Sequence, residues 1–234
     1  AKGHKAVSDA AVEATCTEAG KTAGTHCSVC GKILTAQTAV PAKGHTWGEW
    51  NTVTAATALK AGTMSRKCSN CGAEEKQSIP KLKATIKLNV TSLPLKVKQS
   101  TTAVKIVKMT TGDKIASWKS SNTKVASVNS KGKITGKKAG KATITVKMKS
   151  GAKASVKITV QKKAVTTTKI SGISSKLSLK KGKSVTLKPE LKPLTSQQKI
   201  TYTTSNKKVA TVNAKGKITG KKKGTAVITV KSGK

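Results

Sequence analysis

The chain has 234 residues, with 47 Lys/Arg against eight Asp/Glu and a formal net charge of +39. Aromatic residues make up 2% and Phe is absent, so any core must rest on Val, Ile, Leu and Ala, which suits thin β-sandwiches better than a large pocketed enzyme. No run of about 18 apolar residues occurs, so no membrane-spanning helix is expected.

Residues 1–82 form a distinct region. They hold all five Cys, all three His and two of the three Trp. They also repeat: Ala1-Lys2-Gly3-His4 returns as Ala42-Lys43-Gly44-His45, and Cys27-Ser-Val-Cys30-Gly31 returns 41 residues later as Cys68-Ser-Asn-Cys71-Gly72. Ala14-Thr15-Cys16 is answered by Ala56-Thr57-Ala58, and Val40-Pro41 by Ile79-Pro80. Two repeats are therefore expected, 1–41 and 42–82. Ala1 falls inside a repeat and no signal peptide precedes it, so the chain reads as a piece of a longer protein.

This region carries the sharpest chemical signal. His4, Cys16, Cys27 and Cys30 give His-x11-Cys-x10-Cys-x2-Cys, a ligand set suited to tetrahedral structural Zn²⁺. The second repeat offers His45, Cys68 and Cys71, but Ala58 stands where the fourth ligand is expected, so this second site reads as incomplete. Grouping Cys16, Cys27 and Cys30 with His45 is the weaker arrangement, because it strands His4 and leaves Cys68 and Cys71 without a His. Disulfides compete with zinc as a reading, since an odd number of Cys leaves at least one unpaired in a monomer. His26 neighbours Cys27 but aligns with Lys67, so it is expected to be a solvated residue and not a ligand. Trp47 and Trp50 are expected to pack a small metal-stapled core in preference to stacking on a carbohydrate.

From about residue 83 the texture becomes alternating Thr/Lys and Val/Ile. Segments 84–90, 103–109, 142–148 and 154–160 show the period of two that marks half-buried strands. Shorter strands are expected at 125–128 and 132–135, joined by an Asn129–Gly132 turn in which Asn tolerates positive φ. After a linker at 161–163 the order repeats, with strands near 167–172, 176–179, 183–191, 198–203, 208–212, 216–219 and 225–231. Trp118 aligns with Tyr202, each placed to plug an aliphatic core. The block Ser121–Gly140 returns 84 residues later as Ser205–Gly224. No counterpart of the 154–160 strand follows in the second copy, so an adjacent sheet edge is expected to be unpaired.

The block Ser-Asn-x-x-Val-Ala-x-Val-Asn-x-Lys-Gly-x-Ile-Thr-Gly, with the following Gly-x-Ala-x-Ile-Thr-Val strand, resembles the bacterial immunoglobulin-like domain, group 2. The resemblance covers about two-thirds of the chain. It implies an all-β architecture of two Ig-like sandwiches in tandem, 83–161 and 165–234, the second lacking its last strand. It also implies an extracellular or bacterial cell-surface setting, as in intimin-like adhesins, and a spacer or adhesive role without catalysis. Residues 1–82 are similar to Cys-rich repeats of large surface proteins from Gram-positive gut anaerobes.

Catalytic residues are not expected. His is absent beyond residue 45, no paired carboxylates are placed for acid–base work, and no phosphate loop occurs. Glu74 and Glu75 are adjacent and should face opposite sides of a strand. Residues 83–234 hold 37 basic groups opposed only by Asp113 and Glu190. That field suits anionic cell-wall polymers or glycans. Nucleic acid is disfavoured, because Arg66 is the only Arg and stacking platforms are missing. A host-ligand-binding adhesin and an accessory tail of an extracellular hydrolase are the alternative functional readings.

Overall fold

The computed structural model describes residues 3–233. Ala1 and Lys2 of the first Ala-Lys-Gly-His motif, and Lys234, lie outside the described residues. These contain strands and turns but no helix, as the period-two texture requires. Two compact units result, divided after Leu82.

In the first unit each repeat builds a small antiparallel sheet. The strand Gly24–Cys27 lies between Ala6–Asp9 and Ile33–Thr35, and Gly62–Lys67 lies between Asn51–Thr54 and Glu74–Ile79. Each Cys-x-x-Cys-Gly is the turn of a hairpin. Its first Cys bonds across the turn: the Cys27 N–H donates to Lys32 O and the Cys68 N–H to Ala73 O. Gly31 and Gly72 close the turns at φ 72° and 71°. No atom crowds either position, so glycine is needed there for its backbone conformation and not for space. The buried side chains of this unit are few and small: Ala14, Cys16, Cys27, Ala58 and Cys68. Val7, Val12, Val29, Ile33, Leu34, Val40 and Val53 are exposed.

The second unit holds the two long copies. In the first, Ser92–Lys96, Lys153–Gln161, Gly140–Met148 and Ile115–Ser120 form one sheet in that order. Ser100–Thr101, Ile134–Gly136 and Ala126–Val128 form the facing sheet. Alternation along the two longest strands puts Ala142, Ile144, Val146 and Met148 inward beside Val156, Ile158 and Val160, and Leu93, Leu95 and Ile134 complete a closed aliphatic core. Ser92–Lys96 pairs parallel with Lys153–Gln161 and antiparallel pairs make up the rest of the sheet. Pro94 is tolerated because this is an edge strand.

Within these two sheets the second copy reproduces the registers where both have strands, whereas its pairing of Lys169–Ser171 with Glu190–Lys192 is shifted by two residues from that of Ile86–Leu88 with Ile106–Met109. Tyr202 faces Val230 as Trp118 faces Val146, and Ala210 faces Gly220 as Ala126 faces Gly136. Ile228–Ser232 pairs only with Ile200–Thr204, so the expected unpaired edge is present. The strand expected at 176–179 does not form. Its counterpart in the first copy, Ser92–Lys96, is held solely by Lys153–Gln161, and the second copy has no equivalent of that strand to hold it. Leu177 is consequently 49% exposed where Leu93 is 2% exposed. Around the loop 192–196 the second copy leans on the first: Leu194 packs against the first core, Gln99 donates to Thr195 O, and Thr195 Oγ1 donates to Pro94 O.

Two local expectations need correction. Positive φ in the 129–132 turn falls on Gly132, at 77°, and not on Asn129. Asn129 works through its side chain, whose Oδ1 accepts from the N–H groups of Lys131 and Lys133. Trp118 does not plug the core; it is half-buried at the core's edge and lies over Gly132, as Tyr202 lies over Gly216.

Asp113 is a buried carboxylate in the first copy. It accepts from Ser150 Oγ and N–H and from the Lys114 N–H. Burial alone would raise its pKa, but these donors outweigh burial and hold it below the ordinary carboxylate value. A lowered folded-state pKa means that the carboxylate stabilises the sandwich above its unfolded pKa of about 3.9, and that this contribution fades as pH falls through the lower folded value. Amide protection factors across Met148–Ala152, corrected for the intrinsic pH dependence of exchange, are therefore expected to fall on acidification. In Asp113→Asn they should be lower at neutral pH and nearly independent of pH between about 5 and 2. A wild-type acid response retained in the variant would contradict this assignment.

Candidate metal centre

Two groups of sulfur and nitrogen ligands converge in the first unit. His4, Cys27 and Cys30 form one, and Cys16, His45, Cys68 and Cys71 form the other; within each, the candidate ligand atoms all lie within 4.8 Å of one another. Cys16 thus stands apart from His4, Cys27 and Cys30, contrary to the spacing-based expectation, and completes the set that had seemed to lack a ligand at Ala58. The weaker grouping of Cys16, Cys27 and Cys30 with His45 is not formed either. The reason lies in the local fold. Ala14–Glu18 is a tight turn, with the Thr15 N–H donating to Glu18 O and the Glu18 N–H to Thr15 Oγ1. That turn is tied forward to the second repeat, because the Lys43 N–H donates to Thr15 O at 2.9 Å. His45 is only two residues beyond Lys43, so Cys16 and His45 arrive together.

The distances suit a tetrahedral centre. With Zn–S of about 2.3 Å and Zn–N of about 2.0–2.1 Å, the edges of a tetrahedron are about 3.8 Å for S···S and about 3.6 Å for S···N. Cys16 Sγ and Cys68 Sγ are 3.9 Å apart, Cys71 Sγ and His45 Nδ1 are 3.4 Å apart, and Cys30 Sγ and His4 Nδ1 are 3.5 Å apart. All five cysteines are free thiols, and the Cys16–Cys68 separation is far beyond the roughly 2.05 Å of a disulfide.

The thiols are electrostatically unlike. Hydrogen bonds from the N–H groups of Cys30 and Val29, with His4 in support, lower the Cys27 pKa to about 6. Burial works upward on Cys68, but His45 and the N–H groups of Asn70 and Cys71 outweigh it and bring the thiol to about 6. Cys16 is pushed up to about 11 by burial and by facing Cys71 and Cys68. Both knuckles therefore present a thiolate near neutral pH, the form that binds metals.

The surroundings hold His45 in place. Its ring packs on Trp47 with centroids 4.7 Å apart. The Arg66 guanidinium lies 5.1 Å from the Trp47 ring centre and 4.8 Å from that of Trp50, and Arg66 Nε donates to Glu75 at 2.7 Å. The chain's sole arginine is thus held by two cation–π contacts and an ion pair, and it covers one face of each tryptophan. Nothing in the sequence spacing marked Arg66 for this position. Glu75 faces Arg66, while Glu74 pairs with Lys76. His26 bonds Asp9 at 2.8 Å across the first sheet and belongs to neither ligand set.

A family model described as bacterial Ig-like domain (group 2) matches residues 84–160 and 163–234. The chain belongs to this family. The tandem Ig-like domains account for the second unit, and domains of this group are generally non-catalytic modules. Among curated proteins, a kappa-carrageenase of Pseudoalteromonas carrageenovora is 47% identical over 60 residues, 25% of this chain and 15% of that protein. An uncharacterized protein of Clostridium acetobutylicum is 37% identical over 120 residues, half of this chain and 12% of that protein. The chain thus spans under a sixth of the length of either relative. Among solved structures, domains 1–6 of surface layer protein SbsC align at a TM-score of 0.29 and 17% identity, covering 98% of this chain and 33% of that one. No helix among the described residues is long and apolar enough to cross a membrane.

Proposed function

We propose that this chain is a non-catalytic segment of a bacterial surface or secreted protein, an attaching spacer whose Ig-like domains rest against anionic polymer. One observation carries the reading: residues 83–234 hold 37 basic groups and two acidic side chains, and no lysine is buried among the described residues. Ammonium groups clothe both Ig-like copies. Such a surface repels its own kind and concentrates polyanions, through interactions that salt screens over about 8 Å at physiological ionic strength. Lysines in place of arginines favour diffuse charge contact over bidentate recognition, which fits a repetitive wall polymer or glycan better than a shaped ligand. The Cys-rich repeats, on this reading, form a zinc-stabilised module that carries the Ig-like domains.

The test is retention of the full chain on purified cell wall and on an anionic polysaccharide at two salt concentrations. Retention should fall at least tenfold between about 50 mM and 500 mM salt. Equal retention at both would reject charge as the cause. The local identity to a kappa-carrageenase favours a second reading, in which the same domains serve as the accessory part of an extracellular polysaccharide hydrolase. Tight, salt-insensitive binding to one neutral glycan would select it.

A further inference from the structure

The two knuckles have the same sequence pattern and the same internal geometry, yet they are differently supplied with ligands. His45, Cys68 and Cys71 come from the second repeat and Cys16 from the first. His4, Cys27 and Cys30 all come from the first, and no fourth Cys or His joins them among the described residues. Each Gly-His and its following knuckle are 23 residues apart in both repeats, and they form a constant three-ligand half. The fourth ligand arrives from the Ala-Thr-Cys turn of the repeat before.

The turn that delivers it is itself conserved in geometry between the repeats. Thr57 closes its turn through Lys60 as Thr15 does through Glu18, and the Leu82 N–H donates to Thr57 O as the Lys43 N–H donates to Thr15 O. Leu82 therefore occupies the place of Lys43, two residues after the Pro of each repeat. Two residues on from Lys43 stands His45, whereas two residues on from Leu82 stands Ala84. The Cys and the His of the next junction are thus both replaced by alanine, Ala58 and Ala84, and no third knuckle follows. Ala58 is the matched end of an array and does not mark a defective site.

We propose that the metal site of these repeats belongs to the junction between successive repeats: Cys16, His45, Cys68 and Cys71 hold one zinc ion that locks the first repeat onto the second. The proposal rests on the reading of the Cys/His groups as zinc ligands and adds which repeat supplies each one. It makes the ion an inter-repeat lock, and it divides the chain's ligands into a closed four-ligand site and an open three-ligand site. The closed site should be the tighter, since its coordination is completed by protein.

Native mass spectrometry of the zinc-loaded full chain, titrated with a chelator, tests this. One zinc is expected to persist at chelator concentrations at least tenfold above those that strip any second ion. Cys16→Ser and His45→Ala should each abolish the persistent zinc, and His4→Ala should leave it in place. Cys16→His, which keeps a fourth ligand, should restore it and guards against misfolding as the explanation. Limited proteolysis between Val29 and Pro41 should accelerate at least fivefold in Cys16→Ser and return toward wild type in Cys16→His. If Cys16→Ser leaves the persistent zinc intact, or if His4→Ala removes it, the junction assignment is overturned while the zinc reading stands. If the chain binds no zinc, both are overturned.

Discussion

Withdrawing zinc is expected to unfold residues 3–82 and to leave the Ig-like domains folded. The reason is the near absence of any other stabilising core in the first unit. Its buried side chains are two alanines and three cysteines. Burying a Val, Leu, Ile, Phe or Met contributes about 1.5–3 kcal/mol each, and this unit buries none of them fully. Hydrogen-bonded hairpins alone do not hold such a chain. A structural zinc site contributes roughly 10–16 kcal/mol of apparent binding free energy at neutral pH, as large as the whole net stability of a small domain, about 5–15 kcal/mol. In a heteronuclear NMR spectrum, a strong chelator should collapse the resonances of residues 3–82 into the narrow amide range of an unfolded chain. The dispersed signals of Ile144, Val146, Val156 and Ile158, in a core that buries fourteen side chains, should not move. Persistence of the dispersed signals of Cys27 and Cys68 without metal would refute the zinc reading for the first unit.

That contrast also explains what could be read from residue order and what could not. In the Ig-like copies, strand identity follows from alternation, and alternation is local. Ala142, Ile144, Val146 and Met148 face inward because each is two residues from the next, and any pairing that buries one buries all. The family resemblance and the all-β architecture were legible for the same reason. The strand at 176–179 was misread because its inward residues, Leu177 and Leu179, are suitably spaced while the neighbour that would hold them is not there. Pattern sets which face a strand offers, but partnership decides whether it forms.

The candidate metal ligands posed the opposite problem. Their types and the spacing of the knuckle were plain. The origin of the fourth ligand was not, because it depends on one backbone hydrogen bond from Lys43 to Thr15 that has no side-chain signature. The sequence did hold a trace of it. Ala58 and Ala84 depart from the repeat together, as the proposed sharing of a site between repeats requires. Trp47 and Trp50 are half-buried against Arg66, a partner that was not legible, since cation–π geometry leaves no periodic pattern.

The second Ig-like copy offers the sharper test of the rule that partnership decides. Extending the chain beyond Lys234, the counterpart of Ser150, with a copy of Gly151–Gln161 should close that sandwich. In the first copy this segment inserts between Ser92–Lys96 and Gly140–Met148, pairing with both. The corresponding groups of the second copy, 176–180 and Ile228–Ser232, are in place but unjoined. The added strand would bury its own Val, Ile and Val and cover Leu177, Leu179, Ile228 and Val230. Each kcal/mol gained raises the melting temperature of a domain of this size by about 4–8 °C, so the in-register extension should melt several degrees higher than the original chain. Amide exchange at Leu177 and Leu179 should slow by at least tenfold as a strand forms there. The informative control is the same extension with one residue inserted before it, which turns its lysines inward. It adds the same charge and one further residue, so equal stabilisation by both would show that the gain does not come from strand insertion. Stabilisation by the in-register strand alone would establish that residues 176–180 carry in their own sequence what a strand needs once a neighbour pairs with them.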